Sequence, residues 1–212
     1  MSIGFLHTAD VHTGTFTGLL DEVSPGRPSN HVVDESLLAD ARERGGVDDE
    51  LTERLIARLK EAANGASVVV CTCSTISGPA EQLSSAVGVH VVRVDRPMAE
   101  LAVDSGTRIA VVAALLSTIA PTVELLTEVA KLKGRTLTLD EVVLADAWNL
   151  FECGEMAGYA SAIAEAVDSL DPAIEVVVLA QASMAGAASL CKTTAPVLSS
   201  PRSAVEAAVA LA

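Results

Sequence analysis

The sequence predicts an α/β protein of two pseudo-symmetric subdomains, each with a parallel four-stranded sheet flanked by helices. Three observations lead to this prediction. Similar segments occur in the two halves of the chain, and apolar strand-like runs alternate with helix-like segments. Half of the 212 residues are hydrophobic, yet only five are aromatic. A core of Val, Leu, Ile and Ala suits parallel strands that helices cover on both faces.

The repeat is visible at several separate places along the chain. Three pairs of segments share one and the same offset in residue number, whereas the V-V-V pair is offset by two more, which implies two additional residues in the second half before that strand. A shared offset favours internal duplication over a chance likeness between Val- and Ala-rich segments. The pairs are Ile3–Phe5 with Ile109–Val111, Asp34–Ala41 with Asp140–Ala147, Arg96 and Glu100 with Arg202 and Glu206, and Val68–Val70 with Val176–Val178.

The same order of elements is predicted for each half. Each half begins with a strand, which is followed by a loop, a helix and a second strand. An amphipathic helix comes next, and then a fully apolar strand. A turn of small residues opens another helix, and a last strand and helix complete the half. The amphipathic helices match at helical spacing, with Leu51, Leu55, Leu59 and Ala62 corresponding to Tyr159, Ile163, Val167 and Leu170. The predicted strands are Ile3–Leu6, Val32–Val33, Val68–Cys71, Val89–Val94, Ile109–Leu115, Leu137–Leu139, the run from Val176, and Pro196–Ser199.

The repeat also predicts how the chain divides. Residues 1–103 with 200–212 form the first predicted subdomain, and residues 104–199 form the second. Open parallel sheets bind ligands beyond the carboxyl ends of their strands, so the active site is expected in a cleft between the subdomains.

Composition excludes several classes of function. The net charge of −14 and only 14 scattered basic residues argue against binding nucleic acid. No apolar run approaches the roughly 18 residues of a membrane span, and the N-terminus lacks a signal-peptide pattern, so a cytoplasmic protein is expected. Its cysteines should be reduced there, and Cys71-Thr72-Cys73 has no second pair to complete a metal site. Homo-oligomerisation is left open.

Small polar residues follow the predicted strand ends. Ser74 and Thr75, Ser117 and Thr118, and Ser183 carry hydroxyl groups at positions where backbone N–H groups are exposed. Such groups can hold carboxylate oxygens without arginine. The same residue types also cap helices, so binding and capping both remain open.

Two turns carry a resemblance to a known family. The third strand of the first half leads into Cys73-Ser74-Thr75, and that of the second half leads into Leu179-Ala180-Gln181-Ala182-Ser183-Met184. These turns resemble the C-N-T and L-G-C-A-G-M motifs of the aspartate/glutamate/hydantoin racemase superfamily, which includes arylmalonate decarboxylase and maleate cis–trans isomerase. The duplicated layout and the final P-V-L-S-S-P-R-S-A-V-E-A-A stretch fit as well. Gln181 stands where the second cysteine of the family belongs.

The resemblance implies cofactor-independent proton transfer at carbon, for which a racemase uses one thiol on each face of the substrate. Glutamine cannot transfer a proton near neutral pH. Cys73 is then the one catalytic thiol, with a pKa depressed by the helix that opens from Pro79 onward. His7 stands where several members carry the aspartate of a D-S-G motif, and either pairs with the thiol or is a hydrogen-bonded structural residue. Asp10 and His12 are interpreted as loop residues.

Two functions of different kinds follow. The first is an enzyme acting at the α-carbon of a small carboxylic or amino acid, either racemase/isomerase-like or a decarboxylase, without a cofactor. The second is a two-lobed protein that binds small carboxylates and has lost catalysis. The resemblance implies a substrate-binding role for the residues at the two turns and beyond the first strand of the second half: Ser74, Thr75, Ser117, Thr118, Gln181, Ala182 and Ser183.

Overall fold

The computed structural model describes all 212 residues, which form two compact units. The first unit comprises Met1–Val94 and Pro201–Ala212, and the second comprises Asp95–Ser200. Each unit contains one four-stranded sheet in which every pairing is parallel. The predicted fold class, two parallel four-stranded sheets flanked by helices, is therefore confirmed.

The first unit builds its sheet in the order β2-β1-β3-β4. Its strands are β1 (Ser2–His7), β2 (Ser29–Val33), β3 (Ala66–Cys71) and β4 (His90–Arg93). Its first helices are α1 (Val11–Val23), α2 (Ser36–Arg44), α3 (Asp49–Ala62), α4 (Ser74–Gln82) and α5 (Ser84–Val87). The apolar stripe of α3 is buried, and the Asp48 side chain caps this helix by accepting a hydrogen bond from the Leu51 N–H at 2.9 Å.

The second unit builds its sheet in the order β6-β5-β7-β8. Its strands are β5 (Arg108–Ala113), β6 (Thr138–Val143), β7 (Val176–Leu179) and β8 (Val197–Ser199). Its helices are α6 (Arg96–Ser105), α7 (Leu116–Leu132), α8 (Ala145–Glu152), α9 (Met156–Asp168) and a 3-10 helix (Ala182–Ala187). The chain ends with α10 (Ser200–Leu211), most of which belongs to the first unit.

The strand register supports the repeat at three of its four predicted places. Ile3 pairs with Val68 in the first sheet, and Ile109 pairs with Val176 in the second, which preserves both offsets that the sequence indicates. Val69 pairs with Val91 and Val177 with Val197, so the last strands return to the offset of the first strands. The buried faces of α3 and α9 correspond as predicted at Tyr159, Ile163 and Val167, whereas Leu170 lies beyond the end of α9 and is half-buried.

The predicted match between Asp34–Ala41 and Asp140–Ala147 is wrong. His7 pairs with Val33 and Ala113 with Val143, so the second half has four additional residues between its first and second strands. Asp34 follows β2, whereas Asp140 lies within β6. The likeness of the two segments reflects composition, because the insertion shifts the true counterpart of Asp34 to Leu144.

The boundary between the units differs from the predicted one, which lies at residues 103 and 104. The structure divides the chain at Val94 and Asp95, because α6 packs against α7, β7 and β8 of the second unit. Met98 and Ala102 on this helix belong to the same buried cluster as Leu126 of α7.

Two further expectations about helices differ from the structure. The helix after the Cys73 turn begins at Ser74, with Pro79 inside it, rather than at Pro79. His12 lies within α1 and not in a loop, whereas Asp10 immediately precedes that helix. No helix combines the length and hydropathy that a bilayer span requires.

Candidate functional site

Cys73 and Gln181 occupy equivalent positions in the two units. Cys73 lies two residues beyond the end of β3 and immediately before α4, and Gln181 lies two residues beyond the end of β7 and immediately before the 3-10 helix. Both have extended backbones, with φ and ψ of −107° and 110° for Cys73 and of −122° and 139° for Gln181. Both side chains are buried. The mismatch in the sequence is thus a mismatch at one structural position of the repeat.

The thiol of Cys73 is surrounded by hydrogen-bond donors. The hydroxyl groups of Thr8 and Thr75 and the backbone N–H groups of Thr75 and Ile76 all act to lower its pKa. Burial acts in the opposite direction and more strongly, so the pKa of Cys73 is raised above the usual value of a thiol. The expected depression of the Cys73 pKa is therefore not found, and the protonated thiol is the favoured form.

His7, the last residue of β1, is fully buried and makes no hydrogen bond to Cys73. Its Nδ1 lies 2.9 Å from Thr72 Oγ1, and its Nε2 lies 2.9 Å from His31 Nδ1. Both ring nitrogens are thus engaged. The structure favours the structural interpretation of His7 over its pairing with the thiol.

His7 belongs to a cluster of three histidines and two phenylalanines. Its ring stacks on those of Phe5 and His31, with ring centroids 5.9 Å and 5.2 Å away. His12 and Phe16 of α1 pack against the same ring. Burial, reinforced by the two neighbouring imidazoles, lowers the pKa of His7 to about 3, and burial lowers the pKa of His12 to about 4. The buried ring of His7 is consequently neutral at neutral pH.

Gln181 is held by the backbone at the end of β5. Its Oε1 accepts hydrogen bonds from the N–H groups of Ala114, at 2.6 Å, and Leu115, at 3.0 Å. These bonds identify which end of the amide is the oxygen, because a backbone N–H requires an acceptor. The Nε2 group of Gln181 donates to no other group of the protein and remains free to bind an acceptor.

The other predicted substrate-binding residues differ in their surroundings. Ser74, Thr118 and Ala182 are buried, and the buried Oγ of Ser117 has no hydrogen-bond partner. Ser183 Oγ lies 3.0 Å from the hydroxyl oxygen of Tyr159, whose pKa is raised to about 12 by burial. In the first unit, the predicted residues Thr75 and Cys73 are in hydrogen-bond contact. In the second unit, Gln181 is hydrogen-bonded to Ala114 and Leu115, shortly before Ser117 in the chain.

Three residues of these surroundings were not singled out from the sequence. Thr8 hydrogen-bonds the thiol, His31 hydrogen-bonds His7, and Tyr159 hydrogen-bonds Ser183. Thr8 could have been found, because it directly follows a predicted strand of the same parallel sheet as the strand before Cys73. Tyr159 was assigned to the core from its helical spacing, and its hydroxyl is the polar end of an otherwise apolar side chain.

A cavity of about 500 Å³ opens elsewhere in the second unit, close to the end of α9 and the start of β7. Its apolar wall includes Val167, Ile174 and Val177, and Asp168 and Lys192 contribute polar groups. No predicted site residue lines this cavity.

Known structures share this architecture. The aspartate racemase of Picrophilus torridus is 11% identical, with a TM-score of 0.69 over 99% of this chain and 94% of that one. Glutamate racemase from Thermus thermophilus is 18% identical, with a TM-score of 0.68 over 99% of this chain and 80% of that one. This chain has the Asp/Glu racemase fold. No family model and no curated protein matches the sequence.

The racemase fold also occurs in a decarboxylase. A variant of arylmalonate decarboxylase associated with sulfate is 14% identical, with a TM-score of 0.61 over 100% of this chain and 93% of that one. One fold therefore accompanies more than one named reaction. At such low identity the likeness establishes the fold, and the activity of this chain must be argued from its own residues.

Proposed function

We propose that this chain is a cofactor-independent enzyme of the Asp/Glu racemase superfamily that acts at the α-carbon of a small carboxylic or amino acid, with Cys73 as its one catalytic thiol. The observation that carries the proposal is the setting of Cys73. It lies at the end of a central parallel strand with two hydroxyl and two backbone donors on its sulfur. The racemase fold and the C-S-T turn support the same conclusion.

The raised pKa of Cys73 suits a proton donor. In a decarboxylation, the bond between the α-carbon and the leaving carboxylate breaks and that group departs as CO₂. The electron pair of the bond forms an enediolate on the remaining acid. The S–H group then gives its proton to the α-carbon and becomes a thiolate. Donors such as Thr8 and Thr75 stabilise that thiolate as it forms, because they act to lower the pKa of Cys73. Water returns the proton to sulfur.

Gln181 is assigned a binding role in this proposal. Its Oε1 is occupied by the two N–H groups of Ala114 and Leu115, so only its Nε2–H groups are available. A hydrogen-bond donor that cannot ionise is suited to a carboxylate oxygen of the substrate and unsuited to proton transfer. Because Cys73 is the one thiol at the two motif positions, proton delivery to the α-carbon should come from one face only.

Proton exchange in D₂O tests the proposal. Small dicarboxylates, amino acids and hydantoins are incubated with the protein, and deuterium at the α-carbon is measured together with the configuration of the product. We expect deuterium to enter with one configuration and Cys73→Ala to reduce the rate at least ~100-fold. Cys73→Ser, which keeps a small polar side chain, controls for the loss of volume. Racemisation that Cys73→Ala leaves unchanged would refute the mechanism.

The alternative is a binding protein that has kept the racemase fold without the reaction. The amide at position 181, where the family has its second cysteine, is the observation that favours it. Such a protein would bind a small carboxylate in calorimetry yet exchange no α-proton. Titration of Cys73 with a thiol reagent between about pH 5 and 9 adds an independent measure of its reactivity.

A further inference from the structure

The N–H groups of Ala114 and Leu115 belong to a small turn in the second unit that binds an oxygen atom. Both point at one oxygen, Oε1 of Gln181, at 2.6 Å and 3.0 Å. The turn follows β5 and is closed by a hydrogen bond from Thr118 N–H to the Leu115 carbonyl oxygen at 3.1 Å. Two backbone donors directed at one point favour a negatively charged or strongly polar oxygen. In this unit, the side chain of Gln181 accepts both hydrogen bonds.

The first unit contains the same turn without that side chain. Thr8 and Ala9 follow β1 at the positions that Ala114 and Leu115 hold after β5, as the strand register requires. The counterpart of the closing hydrogen bond is present, from His12 N–H to the Ala9 carbonyl oxygen at 3.2 Å. The counterpart of Gln181 is Cys73, whose sulfur lies one bond beyond Cβ, whereas the amide oxygen of glutamine lies three bonds beyond it.

The two donors of this turn are left open in the first unit. None of the backbone hydrogen bonds in the turns and loops of the protein has the Thr8 N–H or the Ala9 N–H as its donor. Thr8 is 7% exposed, and a buried backbone N–H without a partner is rare and destabilising. The side chain of Thr8 reaches the thiol of Cys73, so the open donors lie beside the proposed catalytic group.

We propose that the N–H groups of Thr8 and Ala9 bind a carboxylate oxygen of the substrate, in the position that the Gln181 amide oxygen occupies in the second unit. The assignment to the substrate rests on the proposed function. The first unit thereby keeps open a binding turn that the second unit fills with its own glutamine. Cysteine in the first unit, where the second unit has glutamine, thus has two effects: it supplies a thiol, and it leaves the two N–H groups of the turn accessible to a ligand.

Nuclear magnetic resonance of the ¹⁵N-labelled full chain tests the proposal, with sodium malonate as the carboxylate probe and sodium chloride at matched ionic strength as the control. We expect malonate to shift the amide signals of Thr8 and Ala9 in the unmodified protein. Cys73→Gln should place an amide oxygen on these donors and weaken malonate binding about tenfold or more. The control variant Cys73→Ser leaves the turn open and should bind as the unmodified protein does.

The second unit supplies the reciprocal test. Gln181→Ala should free the N–H groups of Ala114 and Leu115, whose amide signals should then respond to malonate as well. The proposal is overturned if malonate leaves Thr8 and Ala9 unmoved in the unmodified protein, if it binds Cys73→Gln and Cys73→Ser equally, or if Gln181→Ala leaves Ala114 and Leu115 unresponsive. Absence of α-carbon exchange would refute the proposed function alone, because these shifts require no turnover.

Discussion

His7 is held as a neutral imidazole by a directional set of hydrogen bonds. Thr72 gives its hydroxyl hydrogen to the Leu6 carbonyl oxygen at 3.0 Å, so its oxygen accepts from His7 Nδ1–H. Nε2 of His7 must then accept from His31 Nδ1–H. A proton added to Nε2 would direct two N–H groups at each other. Both the hydrogen-bond geometry and the burial of His7 therefore disfavour its protonated form.

Acid should destabilise the protein through His7. Its pKa is lowered to about 3, against the ordinary value of 6.5, so the unfolded chain binds the proton more readily than the folded one. The stabilising effect is full above about pH 6.5 and is lost progressively as the pH falls toward about 3. At pH 5 the loss from this one residue should be about 2 kcal/mol. Urea unfolding at pH 7 and pH 5 measures it.

Substitution identifies the responsible residue. His7→Gln removes one titrating group and should reduce the loss of unfolding free energy between pH 7 and pH 5 by about 2 kcal/mol, although the variant is less stable at pH 7. The contributions of His12 and His31, whose pKa values are also lowered, remain. Ser85→Gln, which introduces the same side chain at an exposed position, is the control and should leave the dependence unchanged. An equally steep loss of stability in His7→Gln would assign the effect to other groups, with His12 and His31 the nearest.

At the scale of single residues, the sequence indicates where side chains lie better than what they bond to. Cys73 and Gln181 are found beyond matching strands as predicted, since each follows a continuous apolar run. The partner of His7 is His31, on a strand separated from β1 by helix α1, and no local pattern indicates that hydrogen bond. Burial of Cys73, which reverses the expected pKa shift, likewise results from packing between distant segments.

Strand β1 and helix α3 meet at a glycine. A Cβ atom added at Gly4 would lie 2.3 Å from the Ala62 carbonyl oxygen, which is backbone at the last residue of α3. The same oxygen accepts a hydrogen bond from the Asn30 side chain at 3.1 Å. The end of the helix is thus held in place and cannot simply move away from a larger side chain.

Gly4→Ala should therefore destabilise the protein. Overpacking of this kind costs about 1–3 kcal/mol, and the midpoint of urea unfolding should fall accordingly. Gly18→Ala is the matched control, because Gly18 lies in α1 with nothing within 4 Å of its added Cβ. That change should stabilise the protein by up to about 1 kcal/mol. A Gly4→Ala variant as stable as the unmodified protein would contradict the close contact.

At the scale of elements, the predicted strands and the amphipathic helices are found because their apolar patterns are strong and local. The pairing of Asp34–Ala41 with Asp140–Ala147 failed because similar composition was taken as equivalence across an insertion. Only the strand register, with Ala113 opposite Val143, identifies the four additional residues before β6. Alignment of repeats by short polar segments is vulnerable to such shifts, whereas the V-V-V strands align correctly.

The chain passes from one unit to the other after the last strand of each sheet. Helix α6 follows β4 of the first sheet yet belongs to the second unit, and α10 follows β8 of the second sheet yet belongs mainly to the first unit. The two helices correspond in the repeat, and Ala102 of α6 matches the equally buried Ala208 of α10. An apolar helical face predicts burial without specifying which sheet the helix covers. The division predicted at residue 103 therefore assigned α6 to the wrong side of the boundary that the structure shows.

This arrangement makes a crossed prediction for the whole molecule. Ala102→Asp should loosen the second unit, and Ala208→Asp should loosen the first, because each places a carboxylate in a buried position at a cost of roughly 3 kcal/mol or more. Amide hydrogen exchange resolves the effects by element. Faster exchange is expected in β5–β8 for Ala102→Asp and in β1–β4 for Ala208→Asp. If Ala102→Asp instead loosened β1–β4 and spared β5–β8, α6 would belong with the strand that precedes it, and the division at Val94 and Asp95 would be wrong.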